Sequence, residues 1–444
     1  MENLIIAGQF ILSLSLLIVL HELGHFIPAK LFKTKVEKFY LFFDYKFSLF
    51  KKKIGDTVYG IGWIPLGGYV KISGMIDESM DTEQMQQPAQ PWEFRSKPAW
   101  QRLIIMLGGV IVNFVLGLLI YIMIFSVWGQ EIIGPKDVKN GFSVSQTMKK
   151  YGFKDGDTFL KVDGKPVENV LDVNKQLFLR DVKDIEVLHI DGTVENLSIP
   201  ENIGKEMWQL NDLKPFTPRF AAVIDSVIEG EPASQSGFMK HDRIVSVNGE
   251  KSVYWGDFTS KIQESNGEAI VVEVDRDGAL VTLTVTPDEN KKIGVAPAFN
   301  PDENFTVKHQ TYGLSESINK GAAAAYWTLK DYMAQFKYVF TKKGASSMGG
   351  FISIAKIFKP VWDWQVFWAN TAFLSIMLGF MNLLPIPALD GGHVVFTLYE
   401  MITGRKPGDK FLEYAQITGF VLLLSLLAFA NGNDIYKLVV GFLS

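Results

Sequence analysis

The 444-residue sequence contains no cysteine. This excludes disulfides and thiolate metal sites and leaves histidine and carboxylates as the ligands any zinc site would use. Charge imbalance is also missing: 44 Lys and Arg against 48 Asp and Glu leave a net charge of −4, so nothing global favours nucleic acid as a partner. Charged residues are nearly absent from four long apolar stretches, although the whole chain is 21% charged and 48% hydrophobic. That mixture is too polar for a bundle of membrane spans alone and calls for a sizeable water-facing part.

The four stretches are long enough to cross a bilayer, which takes about 20 helical residues. They run from about Leu4 to Ile27, Leu103 to Trp128, Val366 to Pro387 and Tyr414 to Ala430. The first has no basic leader and no small-residue cleavage site, so it is predicted to be a retained span, with Pro28 ending its helix. Trp128, Trp364 and Trp368 fall where interfacial aromatics belong. Lysines and arginines crowd between spans one and two, from Lys30 to Arg102, and between spans three and four at Arg405, Lys406 and Lys410. The positive-inside rule makes those loops cytoplasmic and puts both termini and the long segment between spans two and three outside.

At the end of the first span stands HELGH. On a helix His21 and His25 are one turn apart on one face and can share a zinc ion, with Glu22 beside them as candidate general base. Ionisable groups at this depth are rare and usually functional. A third candidate comes from MNLLPIPALDGGH, where Pro385 and Pro387 break the helix so that Asp390 can turn inward as an oxygen ligand. The topology puts the ends of spans one and three on the same side, near the cytoplasmic face. His189, His241 and His309 read as ordinary surface residues, and His393 is close enough to Asp390 to support it.

Between spans one and two, FYLFFDYKFSLF and TVYGIGWIPLGGYVKI are rich in aromatic and β-forming residues, and Lys51 to Asp56 reads as a polar turn. A membrane-associated β-hairpin over about 39–72 is expected. Non-helical backbone at membrane depth must line a cavity, so the hairpin should border the metal site; the alternative that the residues equally allow is an ordinary cytoplasmic hairpin resting on the interface. Beside the metal site, Gly67 and Gly68 would let an unwound substrate add as a strand.

The outside segment repeats itself. YGFKDGDTFLKVDGKPV aligns without gaps to SGFMKHDRIVSVNGEKS, matching Gly152, Phe153, Asp157, Val162 and Gly164 to Gly237, Phe238, Asp242, Val247 and Gly249. A glycine-led turn, an acidic residue, an alternating strand and an Asp-Gly or Asn-Gly turn make one supersecondary unit used twice. Each copy, over about 130–205 and 217–300, resembles a PDZ domain.

HELGH, PLGGYVK, the paired PDZ-like repeats and NLLPIPALDGG together resemble the site-2 protease family of intramembrane zinc metalloproteases (M50), over nearly the whole chain. The resemblance implies that His21, His25 and Asp390 bind Zn2+, that Glu22 activates water and that Asn382 holds the substrate backbone. It further implies a bacterial inner-membrane enzyme with periplasmic termini and PDZ-like domains. Its substrates would be single-span membrane proteins already trimmed outside, such as anti-sigma factors or remnant signal peptides. MGGFISIA at 348–355 departs from relatives that often carry Gly-Pro there.

The expected architecture is a polytopic α-helical membrane protein with four transmembrane helices, a membrane-associated β-hairpin and two tandem PDZ-like α+β domains. The expected partition is 1–30 for the first span, 31–102 for a cytoplasmic loop holding the hairpin, 103–128 for the second span, and 129–210 and 211–302 for the PDZ-like domains. A helical connector at 303–365, a third span at 366–388, a loop at 389–413, a fourth span at 414–430 and a tail at 431–444 complete it. A competing reading is a non-catalytic PDZ membrane scaffold with a vestigial zinc site.

Overall fold

The computed structural model describes residues 2–65, 67–75, 87–300 and 304–443. Leu66 of the PLGGYVK motif and the expected joint at 302–303 lie outside the described residues. The chain forms two compact units, one of residues 1–129 with 311–444 and one of residues 130–310.

The first unit contains, among the described residues, four helices long and apolar enough to cross a membrane. These are α1 (Glu2–Leu31), α2 (Ala99–Val127), α4 (Trp364–Leu383) and most of α6 (Asp409–Leu443). Two further helices complete the labelled set, α3 (Leu314–Val339) and α5 (Asp390–Thr403).

The helix α1 does not stop at Pro28 as expected but continues to Leu31. Proline has no N–H to give the carbonyl four residues back, which is that of Gly24. Here the backbone of Gly108 in α2 packs against that carbonyl, so the defect falls where two helices meet without side chains between them.

Helix α4, the expected third span, ends earlier than expected, at Leu383, because Leu384 precedes Pro385 and is extended, with ψ 142°. Asp363 caps its start by accepting the Val366 N–H. The expected 389–413 loop contains the 14-residue α5, closed by Gly404 in the left-handed conformation at φ 68°. The expected tail is helix as well. Asn431 donates to Leu427 O, Asn433 donates to Ser346 O and Met348 O, and Asp434 accepts from Gly350 and Ser353, so the polar NGND stretch is satisfied without leaving the helix.

The expected hairpin is a four-stranded mixed sheet. Its strands are β1 (Val36–Leu41), β2 (Phe50–Ile54), β3 (Thr57–Ile61) and β4 (Tyr69–Ile72), in the order β2-β3-β1-β4. Strand β1 runs parallel to β3 and antiparallel to β4, and only β2 and β3 form a hairpin. Lys51, Lys52 and Lys53 lie in β2 rather than in a turn, which falls at Gly55 and Asp56. Exposed lysines suit an edge strand, where they oppose pairing with another chain. Ala29, Val36, Ile72, Phe94, Ile105, Met106 and Val394 form the core that fastens this sheet to α1, α2 and α5.

The second unit has two apolar cores. Strands β5 (Thr158–Val162), β6 (Lys165–Pro166), β7 (Asp184–Leu188) and β8 (Val194–Ser198) make one sheet in the order β8-β7-β5-β6. Strands β9 (Arg243–Val247), β10 (Glu250–Lys251), β11 (Ile270–Arg276) and β12 (Ala279–Val285) repeat that order as β12-β11-β9-β10. The two aligned turns have positive φ at both central residues, Asp163 and Gly164 in one, Asn248 and Gly249 in the other. This is the turn the sequence pairs favour.

The repeated acids are fully buried, but their partners differ. Asp242 takes two bonds from the Arg276 guanidinium, at 2.7 and 2.8 Å. Asp157 faces Nδ1 of His189 at 2.6 Å, and the other ring nitrogen of His189 faces Glu195 at 3.0 Å. His189 is therefore not the surface residue its sequence context suggested; it is buried. Burial alone lowers its pKa, but the bonds to Asp157 and Glu195 outweigh that and hold it above the ordinary value. His241 and His309 are exposed, as expected.

Candidate metal centre

Nε2 of His21 and Nε2 of His25 are 3.3 Å apart, and Oδ2 of Asp390 stands 3.4 and 3.3 Å from them. Two of these atoms come from consecutive turns of α1 and the third from the first turn of α5. The three atoms make a nearly equilateral triangle of acceptors, and Asp390 Oδ2 has no hydrogen-bond partner although buried. Buried acceptors turned toward one another call for a cation. Ligands about 2.0–2.1 Å from a tetrahedral zinc are about 3.3 Å from one another, so the residues fit that metal.

The surroundings fix the rings. The Nδ1–H of His25 donates to Ile105 O at 2.8 Å, leaving Nε2 free to ligate. Nδ1 of His21 lies 3.1 Å from the fully buried side-chain amide of Asn113, whose oxygen otherwise has no partner. With that oxygen turned to the ring, Asn113 accepts from Nδ1–H and His21 also presents Nε2. Gly109, one turn before Asn113 on α2, makes room for the imidazoles; a Cβ there would sit 2.6 Å from His21 Cε1 and would also strike His25 Nε2.

Glu22 and Asn382 border the same point. The Nδ2 of Asn382 is 3.3 Å from His21 Nε2, and the Val70 N–H of β4 faces the Glu22 carboxylate. All these residues line one cavity of about 820 Å³, together with Gly67, Gly68, His393 and the edge strand β4. The cavity thus brings together His21, Glu22, His25, Gly67, Gly68, Asn382, Asp390 and His393, the candidate site residues singled out from the sequence. Gly68 packs against Ile18 of α1 and Tyr40 of β1, and Gly67 against the Phe43 ring. The sequence reading missed Asn113, Gly109 and Gln416, which also line or shape this site. A lone asparagine in an apolar span was a usable signal for the first of these.

The sequence model of peptidase family M50 matches residues 9–426. The chain belongs to that family. As an M50 peptidase it is similar along its length to the regulator of sigma E protease of Haemophilus influenzae, at 27% identity over 97% of this chain and 98% of that protein. Similarity to the regulator of sigma-E protease RseP of Escherichia coli K12 is 26% over the same shares. A Vibrio cholerae relative, 29% identical over 97% of this chain and 98% of its own length, bears the name "Putative zinc metalloprotease". The M50 assignment makes the chain a metalloprotease by family, and zinc is the metal for which its relatives are named.

Proposed function

We propose that the chain is an intramembrane zinc metalloendopeptidase of the site-2 type, with His21, His25 and Asp390 holding the zinc. The observation that carries this reading is the triangle of converging potential ligand atoms 3.3–3.4 Å apart, set in a cavity bordered by the edge strand β4. A bound zinc polarises the scissile carbonyl and makes water nucleophilic near neutral pH.

Glu22 takes the proton of the attacking water and passes it to the leaving amine nitrogen. Asn382 donates a hydrogen bond to the substrate backbone. A transmembrane helix hides its carbonyls in internal hydrogen bonds, so the substrate must unwind before attack. The outer edge of β4, at Gly67 to Ile72, then offers a pairing partner that replaces the lost bonds.

The names of two relatives tie those proteins to the regulation of sigma E; the proposed substrate of this chain is a single-span anti-sigma factor already trimmed outside, with remnant signal peptides as a second class. This reading places the enzyme in a bacterial inner membrane, with the site near the cytoplasmic face and both termini and residues 130–310 in the periplasm. The two repeated halves of that unit would be PDZ-like modules that reject substrates with bulky ectodomains.

The test is cleavage of a tagged single-span substrate by purified wild type and Glu22→Gln in detergent, with zinc quantified in both. A protease loses cleavage in the variant and keeps about one zinc per chain. A scaffold with a vestigial site would show no cleavage by either.

A further inference from the structure

Residues 384–389 join α4 to α5 and decide where Asp390 stands. Pro385 and Pro387 supply no N–H, and the segment holds itself by short bonds, Ile386 N–H to Leu384 O at 2.7 Å and Leu389 N–H to Ile386 O at 3.0 Å. Ala388 is different. It lies two residues before Asp390 at φ 78°, a left-handed conformation that a residue with a Cβ adopts only under constraint. Its N–H leaves the segment and donates to Oε1 of Gln416 on α6, at 3.1 Å.

Gln416 is 5% exposed and lines the same cavity as Ala388, Leu389 and Asp390. One turn further along α6, Gly419 lets the helix backbone close directly on Pro387, where any Cβ would overlap the Pro387 carbonyl. The last helix of the chain thus touches the turn at two neighbouring points, by a hydrogen bond to Ala388 and by backbone packing at Pro387. Elsewhere α6 is largely exposed. A carboxylate ligand on a proline-broken turn has no helix hydrogen bonds before it to fix its position, so the outside acceptor supplies that constraint.

We propose that Gln416 is a positioning residue for Asp390: by accepting the Ala388 N–H it holds the left-handed turn that aims the carboxylate at the metal. Through it α6 sets the metal affinity of a site to which it contributes no ligand. The inference rests on Asp390 being a zinc ligand, as in the function proposed above.

The test uses the full-length protein in detergent, with zinc affinity measured by chelator competition and the electronic spectrum recorded after cobalt(II) substitution. Gln416→Met keeps the length of the side chain and removes the acceptor, while Gln416→Glu keeps an acceptor oxygen. The expected result is a loss of about 10–100-fold in zinc affinity and an altered cobalt spectrum for Gln416→Met. Gln416→Glu should stay within a few-fold of wild type. Unchanged affinity and spectrum in Gln416→Met would overturn the proposal, as would equal losses in both variants, which would mark a packing role instead. Wild-type protein that binds no zinc would overturn the protease reading as well, and only that result does so.

Discussion

Gly109→Ala is the smallest change that should disable the site without touching a ligand. A methyl at this position would lie 2.6 Å from His21 Cε1 and 2.8 Å from His21 Nδ1, and would also meet His25 Nε2. Bringing the nearest ring carbon out to 3.0 Å requires a shift of about 0.4 Å, twice the roughly 0.2 Å by which zinc–ligand distances vary. Both imidazoles stand in the way, and His25 is tied to Ile105 O, one turn before Gly109 on the same helix, so a retreat of its ring from α2 would break that bond. The fold itself should survive. Overpacking costs about 1–3 kcal/mol, while alanine in place of a mid-helix glycine returns about 1 kcal/mol. Zinc content should therefore fall well below one per chain, and cleavage of a tagged single-span substrate should drop at least about 100-fold. The control is Gly8→Ala on α1, where a Cβ meets nothing within 4 Å. If Gly109→Ala kept full zinc and full cleavage at wild-type thermal stability, the placement of the imidazoles against α2 would be wrong.

Other predictions follow from the packing. Gly67→Val, facing only the Phe43 ring at φ 153°, should slow cleavage and leave zinc in place, whereas Gly68→Val presses on Ile18 of α1 and should lower zinc content too; normal cleavage by Gly67→Val would count against strand addition at β4. His189 is held above its ordinary pKa, so its contribution to stability is full below about 6.5 and is lost as pH rises through the raised value. Hydrogen exchange in residues 184–198 of the full chain should accelerate beyond the intrinsic rate as pH rises above about 6.5. Glu195, Asp157, Asp191 and Lys154 set the local field there, and a flat profile would refute an imidazolium at this position. Joining residue 129 to residue 311, which removes the second unit, should allow cleavage of substrates with intact ectodomains; continued resistance would eliminate the size-filter role.

Local spacing was enough to mark the candidate ligands on one helix turn, four helices long and apolar enough to cross a membrane, and the Asp-Gly and Asn-Gly turns, because period, turn chemistry and the clustering of apolar residues are properties of neighbouring residues. Pairing order was not local: β1 lies between β3 and β4, and no pattern within 36–72 distinguishes this from a hairpin. The same holds for helix ends. Pro28 and the NGND stretch look like terminators, and only the backbone of Gly108 and the amides near Gly350 explain why the helices pass through them.

At the site, the sequence alone determined which residues have the chemistry to bind a metal and move a proton. Tertiary structure decided that Asp390 meets His21 and His25 within 3.4 Å, that Asn113 and Ile105 orient the rings, and that Gln416 holds the turn before Asp390. These contacts join residues from 28 to more than 360 positions apart, and a glycine or glutamine that matters only for what lies opposite it leaves no mark on its own stretch of chain.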